Sequence, residues 1–211
     1  IAVIAANGRS GAAFVTAALE AGHQVWAGTY GDHSFYPHPN LTIVPCDAAN
    51  PEDMYILVKD KDAVVSLIGH VKGSAANVQT LAITHAIRAM KIFSVRRIVS
   101  LTGTGVRFPN DKISLADRFF PIGIRILDYA RVKDGIAHAK ALQESELDWT
   151  IIRVAKLQNI PEHPFGLSTV GPSKSIVSRK SVAKAILQVL GRGEFIQQAP
   201  MITSEKSGTT N

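Results

Sequence analysis

Six short apolar runs recur along the chain: Ile1–Ala5, Gln24–Thr29, Leu41–Cys46, Ala63–Ile68, Arg97–Thr102 and Trp149–Arg153. Most are nearly continuous in apolar and β-branched residues, the pattern of parallel strands covered on both faces. Between them the apolar positions recur at helical spacing. A helix is predicted over Ser10–Ala21, closed by Gly22 as a C′ glycine. A second begins at Asn50, where Asn50-Pro51-Glu52-Asp53 reads as an N-cap, a first-turn proline and acids at the positive helix end. Further helices are predicted over Ser74–Met90, Arg125–Ser145 and Arg179–Leu190, the last stopping before Gly191. Strands and helices that alternate in this way predict an α/β fold with a doubly wound, mostly parallel sheet and helices on both faces. No repeat or linker divides the pattern, so residues 1–211 are expected to form one domain. The tail Ser204–Asn211 is expected to fray. Two stretches rich in Gly, Pro and Ser, 103–121 and 158–178, follow strand C-termini, where open α/β sheets bind ligands.

Composition narrows the partners. The chain is 46% apolar and 19% charged, as in ordinary globular domains. No apolar run approaches the roughly 20 residues that cross a bilayer, so no membrane partner is expected. One cysteine, Cys46, allows no intrachain disulfide, and no charged-then-apolar leader is visible, so a cytoplasmic home is expected. The net charge is +6. Its basic residues are scattered as pairs and singles (Arg96–Arg97, Lys112, Arg125, Lys133, Arg179–Lys180), without the cluster that nucleic acid would require. An anionic small molecule uses the bias better. Seven dispersed histidines and one cysteine suggest no metal site.

The chemistry starts at Ala5–Gly11, AANGRSG, set between the first strand and the first helix. Aligned on the dinucleotide fingerprint the spacing is Ala5-x-x-Gly8-x-x-Gly11, within a complete strand–helix–strand unit. Gly8 would let the backbone approach a pyrophosphate, and Gly11 would let the helix pack closely on the sheet. Ala5 replaces the first glycine and is tolerable there if φ stays negative. The competing reading is a tight turn with no ligand.

IAVIAANGRSG resembles the start of the atypical short-chain dehydrogenase/reductases, the NAD(P)-binding group that includes NmrA-like proteins and the NADPH-dependent flavin/biliverdin reductases. KDAVVSLIGH, VRRIVSLTGTG, ALQESELDWTIIRVAKL and GPSKSIVSRKSVAKAIL resemble later segments of that group, in the same order. The resemblance implies a Rossmann-like fold and a nicotinamide dinucleotide held by Ala5, Asn7, Gly8, Arg9, Ser10 and Gly11. It extends the site to Tyr30, to Asp47 and Ala48, to Ile68, Gly69 and His70, and to Leu101, Thr102, Arg153 and Val154. Asp47 matches the group's adenine-contacting acid, with a turn aspartate as the alternative. His70 lies either beneath the adenosine ribose or on an exposed loop. Arg153 either lines the site or forms an ion pair at its strand end.

NADP is expected over NAD. The second strand ends Gly28-Thr29-Tyr30-Gly31 without the acid that binds both ribose hydroxyls. Arg9, inside the loop, could grip a 2′-phosphate bidentately, or be a solvated loop residue.

Catalytic candidates are fewer. Tyr129 and Lys133 form a Y-x-x-x-K pair, which on a helix shares one side, with Lys lowering the Tyr pKa. In Tyr/Lys-using relatives, however, the lysine position falls at Gly135 and the tyrosine position at Arg131. Two residues correspond to about 200° of helix rotation. Thr102 and Thr104 could place a hydroxyl near the nicotinamide, or merely order their loop. The reading is an NADP-dependent oxidoreductase passing hydride to a small planar acceptor, flavin- or quinone-like, as a monomer or homodimer. The alternative is an NmrA-like redox sensor that binds without turnover. A nucleotide-sugar epimerase or dehydratase fits less well, because such enzymes use the Tyr/Lys pair in register and carry a larger substrate lobe.

Overall fold

The computed structural model describes residues 1–109, 111, 129–170 and 176–204. Strands β1 (Ala2–Ile4), β2 (Val25–Thr29), β3 (Leu41–Pro45), β4 (Ala63–Ser66), β5 (Arg97–Gly103) and β6 (Asp148–Val154) lie within a residue or two of the six apolar runs. They pair in parallel in the order β3-β2-β1-β4-β5-β6, and β10 (Met201–Ser204) and β8 (Phe165–Ser168) extend the sheet beyond β6. β10 runs parallel to β6, and β8 runs antiparallel to β10. Two short strands, β7 (Lys156–Gln158) and β9 (Ile176–Ser178), form a small parallel pair of their own. The sheet is therefore the expected Rossmann-like, mostly parallel one.

The described helices are α1 (Arg9–Glu20), α2 (Pro51–Val58), α3 (Val78–Ile92), α4 (Tyr129–Gln143) and α5 (Arg179–Arg192). Two-residue periodicity in the strands divides the core between the two faces. Ala2 and Ile4 of β1, with Val64, Ile98 and Ile151, pack under α2, α3 and α4 through Met54, Ile83 and Leu142. Val3, Val65, Val99 and Ile152 point the other way, against Phe14 and Val15 of α1 and Ile186 and Val189 of α5. Burying each such side chain stabilises by about 1.5–3 kcal/mol relative to exposure. Because both faces are covered, the central strands read as unbroken apolar runs.

Several boundaries differ from the sequence expectation. α5 continues through Gly191 and stops at Gly193, whose φ of 62° supplies the left-handed cap. Ser204 belongs to β10 rather than to a frayed tail; residues 205–211 lie outside the described ones, as do 110, 112–128 and 171–175. The predicted helix start at Arg125 and much of the stretch 103–121 fall among those residues. No described helix is long and apolar enough to cross a membrane.

Candidate active site at the strand C-termini

The chain leaves β1 through Ala5, turns, and enters α1 at Arg9. Ala5 has φ +58°, not the negative value its side chain would favour. It thus occupies the left-handed region where the fingerprint's first glycine would sit, at a cost of about 1–2 kcal/mol. The turn holds because Gly8 N–H donates to the Ala5 carbonyl (3.1 Å) and Ala6 N–H donates to that of Gly28 (2.9 Å). Gly11 has no room for a side chain: a Cβ would run into the carbonyl oxygens of Ala5 and Ala6. Gly8 caps α1 without a side-chain acceptor, and its first turn carries no acid. α2 differs, since Asn50 accepts from Glu52 N–H and Glu52 and Asp53 fill its first turn. α5 is capped by Ser178, which accepts from Lys180 N–H. An uncapped helix start beside Gly8 and Arg9 suits an anion such as a dinucleotide diphosphate.

Asn7 ties this loop to the end of β2, donating through Nδ2 to the carbonyls of Tyr30 and Asp32, both at 2.8 Å. Tyr30 itself is exposed. Asp47 orders its own turn: Oδ1 accepts from Ala49 N–H (2.9 Å), and its N–H donates to Asp53 Oδ2 (2.8 Å). That geometry is the turn-aspartate alternative. The Ala48 carbonyl lies 3.2 Å from His85 Nδ1.

At the end of β4, Ile68 accepts from Gln79 Nε2 through its carbonyl, and Gly69 is exposed. His70 corrects one of its expectations. Its side chain is nearly buried, with Nε2 2.9 Å from Asp134 Oδ2 of α4, so it is not an exposed loop histidine. Asp134 also accepts from the N–H groups of Gln79 (2.8 Å) and Thr80 (3.0 Å) and from the Thr80 hydroxyl. Those N–H groups open α3, whose own N-cap residue Asn77 makes no side-chain bond. α4 thus caps α3 in trans.

Beside it, Thr102 is buried and faces Gly135, where a Cβ would come within 3.1 Å of the Thr102 hydroxyl. Leu101 is half-buried, and Thr104 N–H donates to the Val154 carbonyl at 3.0 Å. Tyr129 and Lys133 project elsewhere: both are exposed and, with Val132 and Ile136, border a shallow surface depression. The Y-x-x-x-K pair therefore does not face the end of β5, as the 200° offset requires. A buried pair that the sequence reading missed lies deeper, Ser100 Oγ and His138 Nε2 at 2.7 Å. Burial, opposed by the Asp134 charge, lowers the His138 pKa to about 4.

Arg153 takes its ion-pair alternative. Fully buried, it meets both oxygens of Asp111 at 2.6 Å and donates through Nε to the Ala199 carbonyl. Its guanidinium lies 4.8 Å from the Phe108 ring centroid. The result is a clamp that holds Val106, Phe108 and Asp111 against β6, with Val154 buried beside it. A long-range pair of this kind leaves no local signal in the sequence.

Arg9 is exposed. It borders an open cleft of about 400 Å³ with Ala13, Asn159, Pro161, Ser178 and Arg179, between the starts of α1 and α5. No residue of the Tyr30 end of β2 is among the described residues that line that cleft. Asn159, Ile160, Pro161 and Ser178 contribute one wall of it.

Comparison with known proteins adds the family. A family model described as NAD(P)H-binding matches residues 5–192. Among solved structures, a short-chain dehydrogenase/reductase from Veillonella parvula in complex with NADP superposes with TM-score 0.78 at 18% identity, covering 99% of this chain and 95% of that one. The anaerobillin reductase ChuY from Escherichia coli O157:H7 gives 0.75 at 16% identity, covering 99% and 98%. A putative NAD-dependent epimerase/dehydratase from Bacillus halodurans gives 0.76 at 18%, covering 97% and 93%. At these identities the likeness is one of fold. No curated protein sequence matches. With the family's model matched from the glycine loop through α5, this chain belongs to the NAD(P)H-binding family that the model describes.

Proposed function

We propose that this chain is an NADPH-dependent reductase that passes hydride to a small planar acceptor, flavin- or quinone-like. The observation that carries the reading is Gly135. The α4 position that faces Thr102 at the end of β5 has no side chain, and the nearby Tyr129 and Lys133 point outward. No described tyrosine–lysine pair stands there to exchange a proton with an alcohol or a sugar. A conjugated ring acceptor needs only hydride and can take its proton from water, so it suits such a site. When bound, the nicotinamide supplies the hydride, and the protein's part is to bind and orient.

In this reading Gly8, Ser10 and Gly11 present the uncapped start of α1 to the diphosphate, while Asn7 fixes the loop to β2 beside the adenosine. Ile68 and Gly69 pass beneath the dinucleotide, and Leu101, Thr102 and Thr104 floor the nicotinamide end. The preference for NADP rests on β2 ending without an acid.

The test follows absorbance at the nicotinamide band with a panel of flavins and quinones. Acceptor-dependent NADPH oxidation is expected, and Tyr129→Phe should keep its rate within about twofold. Nucleotide binding without turnover on any acceptor would favour the redox-sensor reading. A collapse of the rate in Tyr129→Phe would return the Tyr/Lys pair to the chemistry.

A further inference from the structure

The cleft between α1 and α5 has an unusual lining. Arg9, Arg179 and Lys180 all border it, and no acidic residue is among the described residues that do. The nearest carboxylate in sequence, Glu162, is paired with Lys184 at 2.7 Å. Arg179 is held in place by a single neutral contact, donating through Nη1 to Asn159 Oδ1 (2.7 Å), while its Nε is buried without a partner. Both its half-burial and the positive charge of Arg9 lower its pKa. Two guanidiniums thus border one open cleft, with Arg179 Nε unpartnered, so an anion entering it gains donors and charge from both sides. Five N–H donors per guanidinium in a rigid fork suit the oxygens of a phosphate or carboxylate.

We propose that Arg9 and Arg179 clamp an oxyanion, phosphate or carboxylate, in this cleft, with Lys180 adding charge at its rim. Two molecules could carry the anion: the dinucleotide, through its diphosphate over the start of α1, or the acceptor, through an acidic substituent remote from its ring. The proposal rests on the reductase reading only for which molecule that is. Asn159 acts as a positioning residue by holding the Arg179 fork open toward Arg9.

The test uses the whole chain and three probes. Inorganic pyrophosphate is titrated calorimetrically into wild type, Arg179→Gln and Arg179→Lys, with thermal melts to show that the variants fold. Binding should weaken by about tenfold or more in Arg179→Gln, as for loss of a charge-assisted hydrogen bond, and return in part in Arg179→Lys. The dissociation constant of NADPH and the kcat/KM ratio of FMN to riboflavin then assign the carrier. A weakened NADPH constant in Arg179→Gln, with the ratio unchanged, assigns the anion to the dinucleotide. An FMN preference abolished by Arg179→Gln, at unchanged NADPH affinity, assigns it to the acceptor. If pyrophosphate, NADPH and the FMN ratio are all indifferent to Arg179→Gln, the clamp is refuted, even in an enzyme that oxidises NADPH. Conversely, Arg179-dependent pyrophosphate binding in a protein with no turnover sinks the reductase reading and leaves the clamp standing.

Discussion

Ala5 shows how one residue can carry a cost the fold tolerates for its site. Its φ of +58° belongs to the region where a Cβ meets the following carbonyl, and the loop's close approach to α1 holds it there. Replacing it with glycine removes that strain but adds freedom to the unfolded chain worth about 0.4–1 kcal/mol. The net expectation for Ala5→Gly is stabilisation by about 0.5–1 kcal/mol, read from the urea midpoint. Destabilisation would mean that the turn is unstrained. Cys46 makes a simpler point at the same scale. Its thiol is buried and pushed up to about 12 by burial and by the nearby Asp53 and Asp47, so it should resist alkylation in the native protein at pH 8. Rapid labelling of native Cys46 would contradict that burial.

Among the elements, α4 organises most of what is buried at the site. Its Asp134 satisfies two N–H groups of α3, the Thr80 hydroxyl and His70. Asp134→Ala leaves all four without that acceptor and should cost about 3 kcal/mol or more, with α3 the first element to lose amide-exchange protection. Loss under 1 kcal/mol would show that the trans cap does not hold α3. One turn further along, His138 links the same helix to pH. Its folded pKa of about 4 lies below the ordinary value of 6.5, so the unfolded state takes up the proton first. The stability from keeping His138 neutral is complete above about pH 6.5, declines below it, and is gone near pH 4. Between pH 7.5 and 5 the loss should reach about 2 kcal/mol. His138→Gln should flatten that slope in urea titrations; an unchanged slope would assign it to other groups. Elements with a repeating pattern were legible in the sequence. The central strands showed because both their faces are buried, and α2 because Asn50, Pro51 and two acids mark its start. β7 through β10 have three or four residues each and carry no such repeat. The His70–Asp134 and Arg153–Asp111 pairs join residues 64 and 42 positions apart, so nothing local announces them.

At the scale of the whole molecule, the sheet order brings the glycine loop, the end of β5 and the start of α5 to one edge. The site in outline was legible because AANGRSG lies where its spacing demands, between a strand and a helix. The roles of single charged side chains were less so. Arg153 turns inward because its partner, Asp111, lies 42 positions away, and Arg9 shares a cleft with Arg179 from the far end of the chain. On the proposed function, this edge would hold a nicotinamide dinucleotide at the uncapped start of α1. Equilibrium titration of the purified chain with NADPH and NADH, followed by nicotinamide fluorescence, tests that most directly. Saturable binding is expected, with NADPH about tenfold or more tighter than NADH, and lost in a Gly8→Val variant that still melts cooperatively. Absence of binding by wild type, or equal binding by the Gly8→Val variant, would contradict it.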